Sequence, residues 1–105
     1  MAHNARKSVR LPLHCPVSLT LLEGGVIDGV GLDISMGGMC LIVPGPLRPT
    51  QICALRLVVG GVPLLLMGQV VYTDPEPFGG YRTGIGFLQV DAFAAATIGA
   101  LLRAV

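Results

Sequence analysis

The chain has 105 residues, of which 52% are hydrophobic and 12% are charged, so it is too short for two ordinary domains and too apolar to be disordered. A formal net charge of +1 at pH 7 excludes a protein that binds nucleic acid through a bulk positive field. Fifteen glycines and eight prolines spread through valine- and leucine-rich stretches indicate frequent chain reversals, which are typical of an all-β domain.

The first predicted strand follows the basic N-terminal residues. Apolar and polar side chains alternate over residues 13–21, and a period of two predicts a half-buried β-strand. Pro12 and Pro16 lack the amide proton of a strand ladder, so we expect this strand to lie at an edge or to begin irregularly. Glycines at 24 and 25 predict the turn that follows.

The second predicted strand covers residues 26–35 and carries two different faces. Alternation assigns Val30, Leu32 and Ile34 to the core face and Gly31, Asp33 and Ser35 to the opposite face. Further strands are predicted at 39–43, 52–59, 62–73 and 81–88. Strands this short and this evenly punctuated predict a small antiparallel six-stranded β-barrel, because closure removes exposed sheet edges.

The end of the chain changes to a helical period. From Asp91, a predicted N-cap, the apolar residues Ala94, Ile98, Leu101 and Leu102 follow the spacing of one helical face. We therefore expect a single C-terminal α-helix that covers one end of the barrel.

Two apolar segments are excluded as membrane or export signals. Residues 6–22 superficially resemble a secretory signal, but prolines and polar residues interrupt the run and no cleavage site follows it, so we interpret it as mature protein. Residues 57–73 are uncharged, yet Gly60, Gly61 and Pro63 would break a spanning helix. Two strands joined by a Gly-Gly turn explain this segment, and no membrane insertion is expected.

No constellation for catalysis or metal binding is visible. Cys15, Cys40 and Cys53 are odd in number and have no C-x-x-C spacing, which argues against a disulfide framework or a zinc site and fits a reducing cytoplasm. Each lies in an apolar run and is interpreted as core filler. His3 and His14 are interpreted as a solvated tail residue and a strand residue. We expect neither an enzyme nor a metalloprotein.

Two short clusters are typical of binding chemistry. In the first, Arg6 and Arg10 stand four positions apart around Lys7, and guanidinium forks bind phosphate or the O6 and N7 acceptors of guanine. A solvated basic N-terminus is the alternative interpretation.

The second cluster runs from Asp33 to Gly38. Asp33 and Ser35 project from the same face of a strand, where a carboxylate and a hydroxyl are able to bind the edge of a nucleobase or a sugar. Gly37 and Gly38 are able to adopt a positive φ and to let a ligand approach the backbone. The alternative is an ordinary turn in which Asp33 and Ser35 bind local amides.

Taken together, Arg-x-x-x-Arg at residues 6–10 and Asp-x-Ser-x-x-Gly at residues 33–38 resemble the signature of the PilZ domain, a small β-barrel receptor for the bacterial second messenger cyclic di-GMP. The stretch at 81–87 is similar to the family's penultimate strand, and the likeness extends over nearly the whole chain. The resemblance implies an all-β, split-barrel fold with a C-terminal α-helix.

The resemblance also implies a ligand site. Arg6 and Arg10 would bind guanine O6 and N7 and the phosphates, and Asp33 would accept hydrogen bonds from guanine N1 and N2. Ser35 and Gly38, which match the family's small residues, would line the ligand surface. The implied ligand-binding residues are Arg6, Arg10, Asp33, Ser35, Gly37 and Gly38. Arg82 has two interpretations, as a residue near the site or as a solvated residue of its strand. We predict that it is solvated.

The implied organisation is a flexible N-terminal arginine segment at 1–11 and a PilZ-like barrel with its terminal helix at 12–105. In this family the arginine segment often folds over the barrel when ligand binds. Some members carry an additional arginine where this chain has Ala5, and that arginine helps to hold a ligand dimer, so one ligand per domain is expected.

The predicted function is therefore a cytoplasmic cyclic di-GMP receptor that transmits the signal to an unidentified protein effector, in motility, biofilm formation, adhesion or exopolysaccharide control. The alternative is a PilZ-fold adaptor that binds protein without nucleotide, favoured by the apolar composition. No nucleic-acid partner is expected.

Overall fold

The computed structural model describes residues 9–103, which form a closed antiparallel barrel of six strands followed by one helix. The order of strands around the barrel is β1-β2-β3-β6-β5-β4. The elements are β1 Leu11–Leu21, β2 Val26–Ile34, β3 Gly38–Val43, β4 Ile52–Val59, β5 Val62–Pro75, β6 Tyr81–Gln89 and α1 Ala92–Arg103. The predicted all-β barrel with a C-terminal helix is confirmed.

The two prolines of β1 lie in the part of the strand that pairs with β2 but not with β4. β1 pairs with β4 only from Ser18 to Leu21, whereas its pairing with β2 begins at Leu11. The register with β2 shifts between Pro12 and Cys15, so the strand begins irregularly, as its prolines predicted.

A bulge in β2 corrects the predicted faces of that strand. Gly31 pairs with Leu41 of β3 and Asp33 pairs with Cys40, so Leu32 is an extra residue without a partner in this ladder. The extra residue reverses the alternation of the faces. Val30, predicted on the core face, is therefore 47% exposed, whereas Ile34 is fully buried.

The core fills the barrel with branched aliphatic side chains from every strand. Its largest fully buried members are Leu19, Ile34, Met39, Leu41, Leu55, Leu66 and Ile98. Burial of these side chains stabilises the barrel by roughly 1.5 to 3 kcal/mol each relative to leaving them in water.

The terminal helix packs its predicted apolar face on this core. The Asp91 carboxylate accepts a hydrogen bond from the backbone N–H of Ala94 at 2.8 Å, which confirms the N-cap. Ala94 and Ile98 are buried in the core cluster, and Leu101 lies beside Gly60 in the turn between β4 and β5. The helix therefore covers the end of the barrel at which this turn lies.

The uncharged segment at 57–73 forms β4, a tight turn and β5. Gly60 and Gly61 take φ values of 59° and 81° in that turn, a conformation that favours glycine. Within residues 9–103, no helix has the length and apolar character to cross a membrane.

Candidate functional site

One row of paired residues crosses four neighbouring strands on the outside of the barrel. Asp33 of β2 pairs with Cys40 of β3, Cys40 pairs with Gly84 of β6, and Gly84 pairs with Tyr72 of β5. Directly paired residues point to the same side of a sheet. The row therefore places a carboxylate, a thiol and a phenol on one continuous surface.

A cavity of about 470 Å³ opens on this surface. Gly37, Gly38 and Gly84 are among the residues that line it. Arg10 and Asp33 line the cavity from the β2 side, and Tyr72 and Arg82 line it from β5 and β6. The lining of the cavity thus combines charged groups, an aromatic ring and glycines.

Arg10, immediately before β1, reaches across to the end of β2. Its Nε and Nη2 donate to the same Asp33 oxygen, Oδ1, at 2.9 and 2.6 Å. Its Nη1 donates a longer hydrogen bond to the Ser35 hydroxyl at 3.5 Å. The Arg10 and Asp33 side chains remain 40% and 28% exposed, so the pair borders the cavity without being sealed from solvent.

Ser35 is both a turn residue and a neighbour of Arg10 at the cavity, whereas the sequence analysis treated a turn role and a site role as alternatives. Its hydroxyl accepts from the Gly37 N–H and donates to the Gly38 carbonyl, each at 3.3 Å, as in a local turn. The same hydroxyl accepts from Arg10, and Ser35 is only 2% exposed. Ser35 therefore fixes the β2–β3 turn and orients the arginine.

The two glycines of the β2–β3 turn do not have the backbone conformation that was predicted for them. Gly37 and Gly38 are not among the glycines with positive φ, so the expectation of left-handed backbone there is wrong. A Cβ at Gly38 would collide with the Ile85 carbonyl oxygen of β6, whereas a Cβ at Gly37 would meet open space. Gly38 is needed for close strand pairing, and Gly37 keeps the cavity open.

Tyr72 is a site residue that the sequence analysis missed. Val70 of β5 pairs with Ile85 and Tyr72 pairs with Gly84, so Val71 is an extra residue that changes the facing of the strand. The ring lies against the backbone of Gly84, where any Cβ would collide with it. The only signal in the sequence was an aromatic residue that interrupts an aliphatic run.

Arg82 occupies a position other than the predicted one, and Cys40 makes contacts that the sequence did not predict. Arg82 lines the cavity, and its Nε donates to Glu76 at 2.9 Å while its Nη1 donates to the Cys40 sulfur at 3.7 Å. Cys40 is buried, as predicted, and it also lines the cavity and contacts the Tyr72 hydroxyl at 3.6 Å. Cys53 is core filler as predicted.

These contacts reinforce the ordinary charge states of the two groups on the β5–β6 side. Burial, followed by the hydrogen bond with Cys40, raises the pKa of Tyr72 to about 12, so the phenol is neutral at physiological pH. The hydrogen bond to Glu76, followed by that to Cys40, raises the pKa of Arg82 further above its already high value. This side of the cavity therefore presents a neutral ring beside a permanent cation.

The fold brings together five of the six residues predicted for the ligand site. Those lining the cavity are Arg10, Asp33, Ser35, Gly37 and Gly38. Arg6 lies outside the described residues. Within the described range 9–103, no three His, Cys, Asp or Glu side chains are placed to hold a metal ion. The arrangement suits an anionic ligand that also carries hydrogen-bond donors for Asp33.

Comparisons with known proteins identify a family and similar folds. The PilZ domain family model matches residues 4–104. The structure is similar to the PilZ domain of Escherichia coli YcgR with c-di-GMP, with a TM-score of 0.77 and 14% identity over 94% of this chain and 89% of that one. A comparison with curated protein sequences found no match.

Two other solved structures share the fold. The Bacillus subtilis inhibitor of motility MotI/DgrA has a TM-score of 0.80 and 14% identity over 94% of this chain, which spans 50% of that protein. The PilZ domain of CeSA from a cellulose-synthesizing bacterium has a TM-score of 0.65 and 22% identity over 90% of this chain and 95% of that one. At these identities the similarity shows the fold alone.

Proposed function

Because the chain belongs to the PilZ domain family, we propose that it is a cytoplasmic receptor that binds cyclic di-GMP in the cavity between Arg10 and Tyr72. The observation that carries the proposal is the convergence of Arg10, Asp33 and Ser35 at the rim of that cavity. The YcgR domain, which shares the fold, is described with c-di-GMP. The chain acts by binding and not by turnover.

The chemistry of the Arg10 side matches one half of the ligand. A guanidinium is able to donate two parallel hydrogen bonds to guanine O6 and N7 or to a phosphate. Asp33 accepts from Arg10 through Oδ1, and its other carboxylate oxygen forms no hydrogen bond within the described part of the chain. In the proposal, that oxygen accepts from the N1 and N2 donors of guanine.

The N-terminal arginine segment, residues 1–11, supplies the second arginine of the motif. Because Arg10 already contacts Asp33, the proposal requires only the part of this segment before Arg10 to close over the barrel formed by residues 12–105 and to bring Arg6 to the ligand. Ala5 replaces the arginine that helps other family members to hold a ligand dimer, so one ligand binds per domain.

In the proposal, ligand binding then changes a surface that a protein effector recognises. The similarity to a protein described as an inhibitor of motility supports an output in motility, with adhesion, biofilm formation and exopolysaccharide control as the related processes. The outward face of the β4–β5 hairpin exposes Val58, Leu65 and Met67. Because these side chains are apolar, they also favour the second candidate function, an adaptor that binds protein without nucleotide.

Calorimetric titration with cyclic di-GMP tests the receptor proposal. We expect one ligand per chain with micromolar or tighter affinity, which corresponds to about 8 kcal/mol or more. The Asp33→Asn variant keeps the shape of the side chain and removes its charge, so it is expected to bind far more weakly. No binding heat at millimolar ligand would reject the receptor and leave the adaptor.

A further inference from the structure

One row of side chains outside the ligand cavity carries two opposite charges. Ser18 of β1 pairs with Asp28 of β2 on one side and with Arg56 of β4 on the other, so all three point outward from the barrel. Asp28 and Arg56 are exposed, and within residues 9–103 neither forms an ion pair or a side-chain hydrogen bond. The row therefore presents an anion and a cation on opposite sides of β1.

Apolar side chains surround this row. Val58 of β4 is 56% exposed, and Leu65 of β5, which pairs with Arg56, is 59% exposed. A groove of about 370 Å³ lies where the pairing of β1 with β4 ends, and Pro16 and Val58 line it together with both charged residues. An exposed apolar patch of this kind marks a site of association. We name this surface the seam face, and its members are Pro16, Ser18, Asp28, Val30, Arg56 and Val58.

We infer that the seam face binds the seam face of a second copy of the chain and forms a two-fold dimer. The charges identify the occupant, because a face with an anion on one side of β1 and a cation on the other is complementary to its own rotated copy. The inference goes beyond the proposed function and does not depend on ligand binding.

The charges also select how the two copies are oriented. Two sheets that pack face to face are related by a two-fold axis that lies between them. An axis along the row would place Asp28 opposite Asp28 and Arg56 opposite Arg56, which is repulsive. An axis parallel to β1 and above Ser18 instead places each Asp28 opposite the Arg56 of the other copy. The row supplies two intermolecular ion pairs only in this second orientation.

The same axis brings apolar side chains together. Val30 pairs with Pro16, and Val58 lines the groove with Pro16, so the two valines flank β1 as the two charges do. Rotation about β1 therefore places each Val30 opposite the Val58 of the other copy. Their exposed fractions of 47% and 56% leave apolar surface for this contact to bury. Because the outside of a barrel is convex, the contact is confined to β1 and its neighbours β2 and β4.

The seam face lies on the side of the barrel away from the ligand cavity. In the strand order β1-β2-β3-β6-β5-β4, the β1–β4 pair is opposite the β3–β6 pair, which carries the cavity residues Cys40 and Gly84. A dimer formed through the seam faces leaves both cavities open to solvent. Association of the chain is therefore expected with or without cyclic di-GMP.

Sedimentation equilibrium of the full chain without ligand tests the inference. A small convex interface predicts weak association, so the mean mass should rise from one chain toward two with a Kd on the order of 100 µM. The Kd should rise severalfold between low and high salt, because the ion pairs lie near solvent and are screened. A mass that stays at one chain up to millimolar protein would overturn the inference.

Charge reversal tests the contact between Asp28 and Arg56. Asp28→Arg and Arg56→Asp each place like charges opposite one another, so each variant alone is expected to have a Kd raised roughly tenfold or more. An equimolar mixture of the two variants restores both opposite-charge pairs and is expected to associate at least as tightly as wild type. Misfolding cannot explain association of the mixture when neither variant associates alone.

Arg48→Asp is the matched control, because it makes the same change of charge at an exposed arginine outside the groove. It is expected to associate within about threefold of wild type. Its mixture with Asp28→Arg has the same net charges as the first mixture but retains one like-charge pair, so it should associate more weakly. If the reversed variants associate as wild type does, or if the two mixtures associate equally, the seam face is not the interface.

Discussion

Arg10 and Asp33, 23 positions apart in the chain, are joined by two hydrogen bonds that end on a single carboxylate oxygen. This geometry ties the start of β1 to the end of β2 before any ligand binds. It leaves the second Asp33 oxygen and the exposed part of the Arg10 fork at the cavity. The ion pair is therefore a structural link and, in the proposed function, a preformed part of the binding site.

Replacement of Arg10 separates these two roles. Arg10→Ala is expected to abolish cyclic di-GMP binding, and Arg10→Lys is expected to restore it only weakly because an ammonium lacks the planar fork. The free energy of unfolding should fall by no more than about 1 kcal/mol, because exposed ion pairs contribute little. Calorimetry and urea denaturation measure the two effects.

Arg48→Ala is the matched control for this experiment, since it breaks another exposed ion pair, with Glu23, away from the cavity. It is expected to match Arg10→Ala in stability while binding ligand normally. Cooperative unfolding lost in Arg10→Ala alone would show that the arginine is required for folding.

Replacement of Ser35 is expected to destabilise the turn. Ser35→Ala removes the buried hydroxyl, on a residue only 2% exposed, that accepts from the Gly37 N–H and donates to the Gly38 carbonyl. We expect a loss of about 1 to 2 kcal/mol in the free energy of unfolding, measured by urea denaturation. Ser18→Ala is the control, because the Ser18 hydroxyl forms no side-chain hydrogen bond within residues 9–103. Equal stability of the two variants would contradict the structural role of Ser35.

The two turn glycines are expected to respond differently to alanine. Gly38→Ala forces a methyl group against the Ile85 carbonyl and should cost about 1 to 3 kcal/mol of stability. Gly37→Ala enters open space and should change stability by less than about 0.5 kcal/mol. Thermal or urea unfolding of the pair measures the difference, and a larger loss at Gly37 would contradict the described strand pairing.

The raised pKa of Tyr72 predicts how the stability of the fold changes at alkaline pH. Its pKa is about 12 in the folded chain, chiefly because of burial, against about 10 for an unfolded tyrosine. The folded state holds the proton more tightly, so this contribution to stability is complete below about pH 10 and is lost as the pH rises toward 12. Urea unfolding between pH 8 and 11 should show a steeper decline near pH 10 to 11 for wild type than for Tyr72→Phe. Parallel curves would contradict the raised pKa.

Period and punctuation predicted the barrel because each strand buries alternate side chains between clear turn residues. The face of Val30 was predicted wrongly, because the bulge at Leu32 depends on pairing with β3 and cannot be recognised in a single sequence. The same limit applies at Val71, where a second bulge determines where Tyr72 points.

The motif residues could be predicted because their chemistry and spacing are local, as at Asp33 and Ser35. Arg82 could not be assigned with them, because its place in the cavity depends on β6 pairing with both β3 and β5. A charged residue within an otherwise uncharged strand was its only signal.

Nuclear magnetic resonance mapping of the backbone amides tests the central claim most directly, because it locates the ligand on the barrel. On addition of cyclic di-GMP, we predict that the largest shifts occur at Asp33, Gly37, Tyr72 and Gly84, around the cavity. The amides of Thr20 and Ala54, which pair on β1 and β4, should change little. Shifts centred on Thr20 and Ala54, or none at millimolar ligand, would contradict the proposed site.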